Sequence, residues 1–586
     1  MTDHASLATQ TPRGRPRSPT TLLYVVGVIS ALSFVVQAGF APLRGSEGRY
    51  AEAARAMAES DTLRQWIAPL WRGQVHVTKP PLAYWPQAVS IRVFGPTEFA
   101  VRLPAALSVI ALAVLTAFWA AYGPANHRRP TRRRRLAAFA GAMMLSTPLV
   151  QAVGRMGITD APFALCWTAA LVAGHAAARA VLPTQRKHAR RALWTCIALA
   201  VLIKGHAGLL PVAILVGWLW RAGDSTGLRR LKIPIGLPLA VVPLIAWAIA
   251  VAQLEPQAWQ IWKDQTFGRL TAEADHAQAW WFFLPVALAG LFPATGMLHL
   301  AAWSRREQLR REGYLQHDQR ASIEGLGAWA VFLPLVVFSI QSGKLMSYLL
   351  PLAPPAAVLA SLALGRWLEY AKSPDAPSLP PRSPIASLAL GTAAAAIAVV
   401  LGAGLYFGAW LGPSATALAC APAIIAVLAL VRPRNPWSMG VALAGMTALG
   451  PAFAGLETRV YESPAPRVAR DAQQQVELER PQVGLVGFDL PGLGFYTGAP
   501  AGRVDPRFPR DTWQAMRKDN LVLYAEPDAW SQFNQEPFNL LQRRYQAIGE
   551  LELTTHDGPK RFDVYRPRRR DLQPDRQGPN RMPIPR

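Results

Sequence analysis

Apolar residues along this chain gather into blocks of about twenty separated by short polar stretches, the length a helix needs to cross a bilayer. The first block covers residues 20–42. Others fall near 103–123, 136–153, 160–181, 192–203, 205–220, 233–252, 280–301, 326–341, 349–368, 385–410, 414–431 and 437–455. Together they predict about thirteen transmembrane helices. Two stretches break the pattern. Residues 43–102 form a long polar loop, and past residue 456 short strand-type runs (VGLVGF, LVLYAE, IGELEL, RFDVYR) alternate with helical stretches around 464–478 and 529–545. The second stretch predicts a small α/β domain over 457–566, a size suited to one compact unit.

The charges orient these blocks. Every second loop is basic: HRRPTRRRR, QRKHARR, RAGDSTGLRRLK, SRREQLRREGYLQHDQR, the stretch with Arg366, Lys372 and Arg382, and VRPRNP. Those loops read as cytoplasmic, as does the polar tail 1–19 with Arg13, Arg15 and Arg17. The first apolar block is too long for a signal-peptide core and reads as a retained helix. Loop 43–102 and domain 457–566 then lie outside the cytoplasm, and the Pro- and Arg-rich tail 567–586 is read as disordered. The location expected from the charges is a membrane, with the amino terminus on its cytoplasmic side.

Composition adds little and excludes something. The chain has 586 residues, 51% apolar and 17% charged, with a formal charge of +25. Such a charge could serve nucleic acid, but the arginines sit in short loops between apolar blocks, so nucleic acid is set aside as a partner. Cys166, Cys196 and Cys420 all lie in apolar segments and imply packing, with no disulfide framework or metal spacing.

The long loop carries EGRYAEAARAM, then KPPLAYW, then FGPTEFAVRLP. Three motifs in this order resemble the polytopic glycosyltransferases that use polyprenyl-phosphate sugars, among them lipid A aminoarabinose transferases and protein O-mannosyltransferases of the GT-C fold. The resemblance implies a GT-C-like transmembrane domain over 20–456. It also implies transfer of a sugar, with inversion, from an undecaprenyl-phosphate-like donor to an extracytoplasmic acceptor such as lipid A, another glycan or a protein. A monomer among membrane lipids is expected.

The candidate residues follow from motif and chemistry together. Glu47 leads the first motif and is expected as base or orienting acid, against a plain ion pair with Arg49; relatives usually show Asp-Glu where this chain has Ser46-Glu47. Arg49 and Tyr50 follow it as substrate-binding candidates. Asp160, in GRMGITDAPFAL with Arg155, resembles the family's second acid; its plain alternative is a helix N-cap. Lys79 is expected at the donor phosphate, where fixed cations would stabilise the departing charge; snorkelling to the headgroups is the alternative. Lys204 is a weaker similar case, and His206 is read as structural. Lys344 and Tyr348, four apart in SGKLMSYLLP, would reach a phosphate from one side of a helical turn. Relatives carry Glu before the Lys79 position and His three residues before the Arg269 position. Here those are Thr78 and Thr266, so no metal is expected there and Arg269 remains as a phosphate candidate. The competing class is a transporter or non-catalytic binder of lipid-linked sugars, which would place paired ionisable residues at the midplane of symmetric halves.

Overall fold

The structure is a computed structural model describing residues 19–122, 129–256, 258–267, 278–297, 300–302, 322–370, 465–476, 482–486, 492–499, 501–504, 521–531, 545–555 and 558–567. The predicted spans 385–410, 414–431 and 437–455, together with Cys420 and Arg269, lie outside these residues.

The membrane-type helices begin with α1 (Pro19–Val36). The loop that follows contributes α2 (Ser46–Ala58), α3 (Leu63–Ile67) and α4 (Trp85–Phe94). Next come α5 (Glu98–Ala121), α6 (Pro130–Ser146), α7 (Pro148–Val153), α8 (Asp160–Arg179) and α9 (Pro183–Lys204). They are followed by α10 (Leu210–Ala222), α11 (Ser225–Leu231), α12 (Ile233–Leu254), α13 (Ala258–Phe267) and α14 (Phe283–Gly290). The last two are α15 (Ile323–Ile340) and α16 (Ala353–Tyr370). Among the described residues, six helical stretches are long and apolar enough to cross a membrane. Their outward faces are apolar as well: Val114, Ile235 and Phe332 are each more than 60% exposed. In water that surface would be a liability; against lipid it is ordinary, and the helices pack inwards through small residues. Gly236 is one example, since a Cβ there would strike the Trp194 ring at 1.9 Å.

Several boundaries differ from the sequence reading. α1 ends at Val36 and gives way to turns, so the apolar residues up to 42 are not all helix. α5 starts at Glu98, ahead of its apolar block, because Thr97 caps it by accepting from the amide of Ala100. The block at 280–301 is not one helix, because α14 ends at Gly290 and turns lead on to a 3-10 segment, Thr295–Met297.

The long loop holds more structure than its motifs suggest. Between α3 and α4 lies a two-stranded hairpin, β1 (Leu70–Trp71) with β2 (Gln74–Val75). Its turn uses Arg72 at φ 55° and Gly73 at φ 77°. α2 does not lie on the surface. Tyr50, Ala51, Ala53, Ala54 and Met57 are all buried, as are Glu47 and Glu52. The many alanines let other elements close on it from several sides.

One of those elements belongs to the C-terminal part of the chain. There α17 (Ala465–Val476) and a five-stranded sheet form a second core around Val483, Leu485, Val522, Tyr524, Phe562 and Val564. The strands are β3 (Gln482–Val486), β4 (Ala501–Arg503), β5 (Leu521–Ala525), β6 (Tyr545–Thr555) and β7 (Gly558–Pro567), ordered β4-β3-β5-β7-β6. β3 runs parallel to β4 and β5, while β7 is antiparallel to β5 and β6. The short helix α18 (Leu493–Thr497) leaves this sheet and meets α2. A Cβ on Gly492 would sit 2.6 Å from the Gly48 Cα, and one on Gly494 would sit 2.4 Å from the Glu52 carboxylate. Tyr496 completes the contact. Its hydroxyl accepts from the Leu43 amide (2.8 Å) and donates to Glu98 (3.1 Å).

Gly492 holds φ +87°, so alanine there is strained in its own backbone and overlaps α2. We expect Gly492→Ala to destabilise the docked C-terminal unit by about 1–3 kcal/mol. Limited proteolysis in detergent checks this. The sheet should be cut faster than in wild type while the membrane helices stay intact, and unchanged digestion would mean that the contact is dispensable.

Candidate functional site

Glu47 enters in the first turn of α2 and is 1% exposed. It is not paired with Arg49. Its partner is Arg102, in the second turn of α5, whose Nε and Nη2 donate to the two carboxylate oxygens at 2.8 and 2.9 Å. The Arg44 amide (3.0 Å) and the Gly157 amide (2.6 Å) donate to the same carboxylate. Arg102 also donates to the carbonyls of Ala38, Ala41 and Pro42. Every guanidinium proton therefore has a partner. Four segments meet at one ion pair: the end of α1, the start of α2, α5 and the turn before α8. In this arrangement Glu47 has no oxygen left for a substrate proton. The expectation of a general base is corrected to that of a clamp.

Arg155 is likewise turned towards α1. It donates to Ser33 (3.0 Å), Gln37 (3.3 Å) and the Gln151 carbonyl (3.0 Å), and its guanidinium lies 4.2 Å from the Phe34 ring centroid. These contacts join α1 to α7, so Arg155 braces helices.

A different set does converge. Tyr50, one turn beyond Glu47, is buried, and Asp160, Arg49 and Lys204 all lie within electrostatic reach of it. The Arg49 guanidinium sits 5.9 Å from the Tyr50 ring and 5.8 Å from the Trp71 ring, and the Lys79 ammonium 6.0 Å from Tyr50. Asp160 is the first residue of α8, with Thr159 in the cap position making no side-chain cap bond, so the N-cap alternative does not hold. Its Oδ1 accepts from the Lys204 ammonium at 2.7 Å. Lys204 also lies 5.1 Å from the Phe163 ring and 5.4 Å from the Tyr348 ring. Three cations (Arg49, Lys79, Lys204) thus surround one tyrosine and one carboxylate. Burial, and after it the charge of Asp160, raises the Tyr50 pKa, which keeps its phenol protonated and able to donate.

Lys344 and Tyr348 do not share a helical turn. Leu345 between them is extended, and the 3-10 segment Met346–Leu352 starts only after it. Tyr348 joins Lys204, while the buried Lys344 ammonium donates to the Gln278 carbonyl at 2.9 Å. His206 is exposed in the 3-10 segment after α9. Thr266 falls in α13.

Sequence reasoning misses Arg102 and His76. An arginine inside the first turns of an apolar span is an expensive placement, and that cost is the signal that points to it. His76 follows β2, its ring 5.2 Å from Trp71 and 6.2 Å from Tyr84, with Nε2 3.0 Å from the Thr78 hydroxyl. Burial first, then the charges of Arg49 and Lys79, push its pKa down to about 4. One neutral imidazole beside a hydroxyl and two cations is a poor donor set for a divalent ion. Among the described residues, no three His, Cys, Asp or Glu gather to hold one. The residues at Thr78 do not fit the metal that a Glu and a His would invite.

The fold that carries this cluster is shared with a membrane protein of known structure. The crystal structure of ArnT from Cupriavidus metallidurans bound to undecaprenyl phosphate superposes with a TM-score of 0.72, covering 94% of this chain and 98% of that one at 21% identity. Residues 78–250 match the family described as dolichyl-phosphate-mannose-protein mannosyltransferase. The chain is similar to undecaprenyl phosphate-alpha-4-amino-4-deoxy-L-arabinose arabinosyl transferase 1 of Sodalis glossinidius (strain morsitans), 31% identical over 59% of each chain. The corresponding transferase of Aeromonas salmonicida (strain A449) is 32% identical over 54% of this chain and 55% of its own length. The matched part thus spans somewhat more than half of these relatives.

Two outcomes follow. Arg102→Met strands the Glu47 carboxylate in a buried place and should cost about 3–5 kcal/mol, read as a lowered unfolding temperature in detergent; a loss below about 1 kcal/mol would show that the pair does not hold the loop. His76 works through protons. The unfolded imidazole takes one up below its ordinary pKa of 6.5, whereas the folded one stays neutral down to about 4. The unfolded state therefore binds more protons across that window, and stability falls as pH drops through it, by up to roughly 3 kcal/mol from this group. His76→Gln should flatten the fall in unfolding temperature between those pH values, and an unchanged slope would remove His76 as its source.

Proposed function

We propose that this protein transfers a sugar from a polyprenyl-phosphate donor of the undecaprenyl type to an acceptor outside the cytoplasm. The observation that carries the reading is the gathering of Arg49, Lys79 and Lys204 around Tyr50 and Asp160. In the reaction the bond from the sugar's anomeric carbon to the phosphate oxygen breaks and a bond to the acceptor oxygen forms, with inversion. The negative charge of the departing linkage collects on the lipid phosphate, which takes up the proton of an acceptor hydroxyl, while an acceptor oxygen that is already anionic has none to give. Cations fixed before the reaction lower that barrier most, because they need no reorganisation as the charge develops. Lys79 and Arg49 are assigned to the phosphate. Lys204 holds Asp160, which orients the acceptor, and the protonated Tyr50 phenol donates to a phosphate or sugar oxygen. Tyr348 lines the same place beside Lys204. Glu47 and Arg155 set the positions of the helices that carry these groups.

The names of the relatives, which specify an undecaprenyl phosphate-linked aminoarabinose donor, support the donor class. The basic alternate loops support an orientation with this cluster and the C-terminal sheet on the periplasmic side of a bacterial inner membrane. The reading keeps the domain limits 20–456 and 457–566.

Sugar transfer in detergent from a radiolabelled undecaprenyl-phosphate sugar tests the proposal. Lys79→Ala should lower turnover about 100-fold or more with the unfolding temperature unchanged, and Asp160→Asn should lower it while donor binding persists. Full activity in Lys79→Ala would sink the assignment of the phosphate site.

A further inference from the structure

At the other end of α9 from Lys204 lies a second feature. Arg190 and Arg191 precede Lys204 by a dozen or so residues, which at helical rise puts them roughly 20 Å down the same helix. There α9 and α12 enclose a groove of about 330 Å³, and its lining includes Arg190, Arg191, Trp194, Lys232, Ile235 and Leu239. Among the described residues, no carboxylate lines it. The apolar wall faces outwards, with Ile235 62% and Leu239 65% exposed. The floor is built by close approach: Gly236 has no side chain where Trp194 packs, and the Trp194 indole donates to the Leu231 carbonyl at 3.0 Å.

Neighbouring cations are used otherwise. The Arg186 guanidinium donates to the carbonyls of Ala180 and Val181, and Arg230 donates to the Ala178 carbonyl. Those contacts finish the end of α8 and its turn. Lys232 is placed differently. It holds φ +54°, a left-handed conformation that glycine or asparagine adopts more easily, at the junction of α11 and α12. Its carbonyl accepts from the amides of Ile235 and Gly236, so the junction is fixed and the lysine side chain starts from the groove's edge.

We propose that this groove binds an anionic glycerophospholipid of the leaflet opposite the Lys79 cluster, its phosphate among Arg190, Arg191 and Lys232 and its first acyl carbons against Ile235 and Leu239. A cationic rim above a lipid-facing apolar wall at a helix end matches a headgroup joined to a chain. A soluble anion would gain nothing from the wall, and a zwitterionic lipid would set its own cation among three others. The inference does not depend on the transfer reaction.

The test uses the full-length protein, delipidated in detergent and titrated with cardiolipin, phosphatidylglycerol or phosphatidylethanolamine under native mass spectrometry. Cardiolipin and phosphatidylglycerol should bind in preference to phosphatidylethanolamine. Arg190→Gln with Arg191→Gln should weaken cardiolipin binding roughly 20- to 30-fold, a factor of about five for each cation lost. Lys232→Gly separates binding from folding, because glycine suits the backbone there: its unfolding temperature without lipid should hold or rise, while the increase that cardiolipin gives should shrink. Lys79→Ala should bind cardiolipin like wild type. Equal affinity for phosphatidylethanolamine, unchanged cardiolipin binding in the double variant, or loss of it in Lys79→Ala would each overturn the proposal, the last by placing the lipid at the transfer site.

Discussion

The buried pair between Glu47 and Arg102 is the constraint on which the rest of the site depends. A carboxylate and a guanidinium taken out of water are costly, and the cost is offset only where every donor and acceptor is met. Here each is met, and by groups from four separate segments. The pair therefore fixes the angle at which α2 leaves the membrane and the place where the turn before α8 comes to rest. Tyr50 and Arg49 follow Glu47 on α2, and Asp160 follows the Gly157 amide by three residues. Both halves of the cationic cluster are thus positioned by one ion pair that does not itself face the cluster.

The docking of α18 acts on the same helix from the other side. Glycines at 492 and 494 let its backbone close on α2 with no side chain between them, and Tyr496 ties Leu43 to Glu98 next to Arg102. Glu52, which takes the Arg72 amide at 3.0 Å, carries that contact into the hairpin bearing Trp71 and leading to His76. A second cleft of about 390 Å³ opens one turn along α2, lined by Glu52, Arg55, Glu59, Arg72, Gly494 and Gly498. The C-terminal sheet is in this way mechanically part of the loop, although it is remote in sequence.

Much of this is legible in the order of the amino acids. Block length marks the membrane helices, and the three loop motifs mark the class of fold. Arg49, Tyr50, Lys79, Asp160 and Lys204 all stand out by chemistry and motif, and all five converge. Partner choice is what the sequence hides. Glu47 reads as a base or orienting acid, with Arg49 as its plain alternative partner, yet its partner lies 55 positions away on another helix. Lys344 and Tyr348 read as a helical pair because spacing by four implies one face, and an extended Leu345 undoes that geometry. Five of the thirteen residues of α2 are alanines, and side chains that small let one helix be covered on several faces at once. In each case a local pattern is overruled by a contact distant in sequence, which no periodicity encodes.

The disposition of the acids bears on what kind of acceptor the proposed reaction takes. Glu47 is fully hydrogen-bonded, and Asp160 has one oxygen on Lys204. His76 is kept neutral, but its Nε2 already faces the Thr78 hydroxyl. The cluster is therefore rich in groups that stabilise a departing phosphate and poor in groups that would pull a proton from an unactivated hydroxyl. An acceptor oxygen that is already anionic, such as one on a phosphate, needs no base, only orientation and charge balance. On the proposed reading the residues of this site suit a phosphate acceptor better than a sugar or protein hydroxyl.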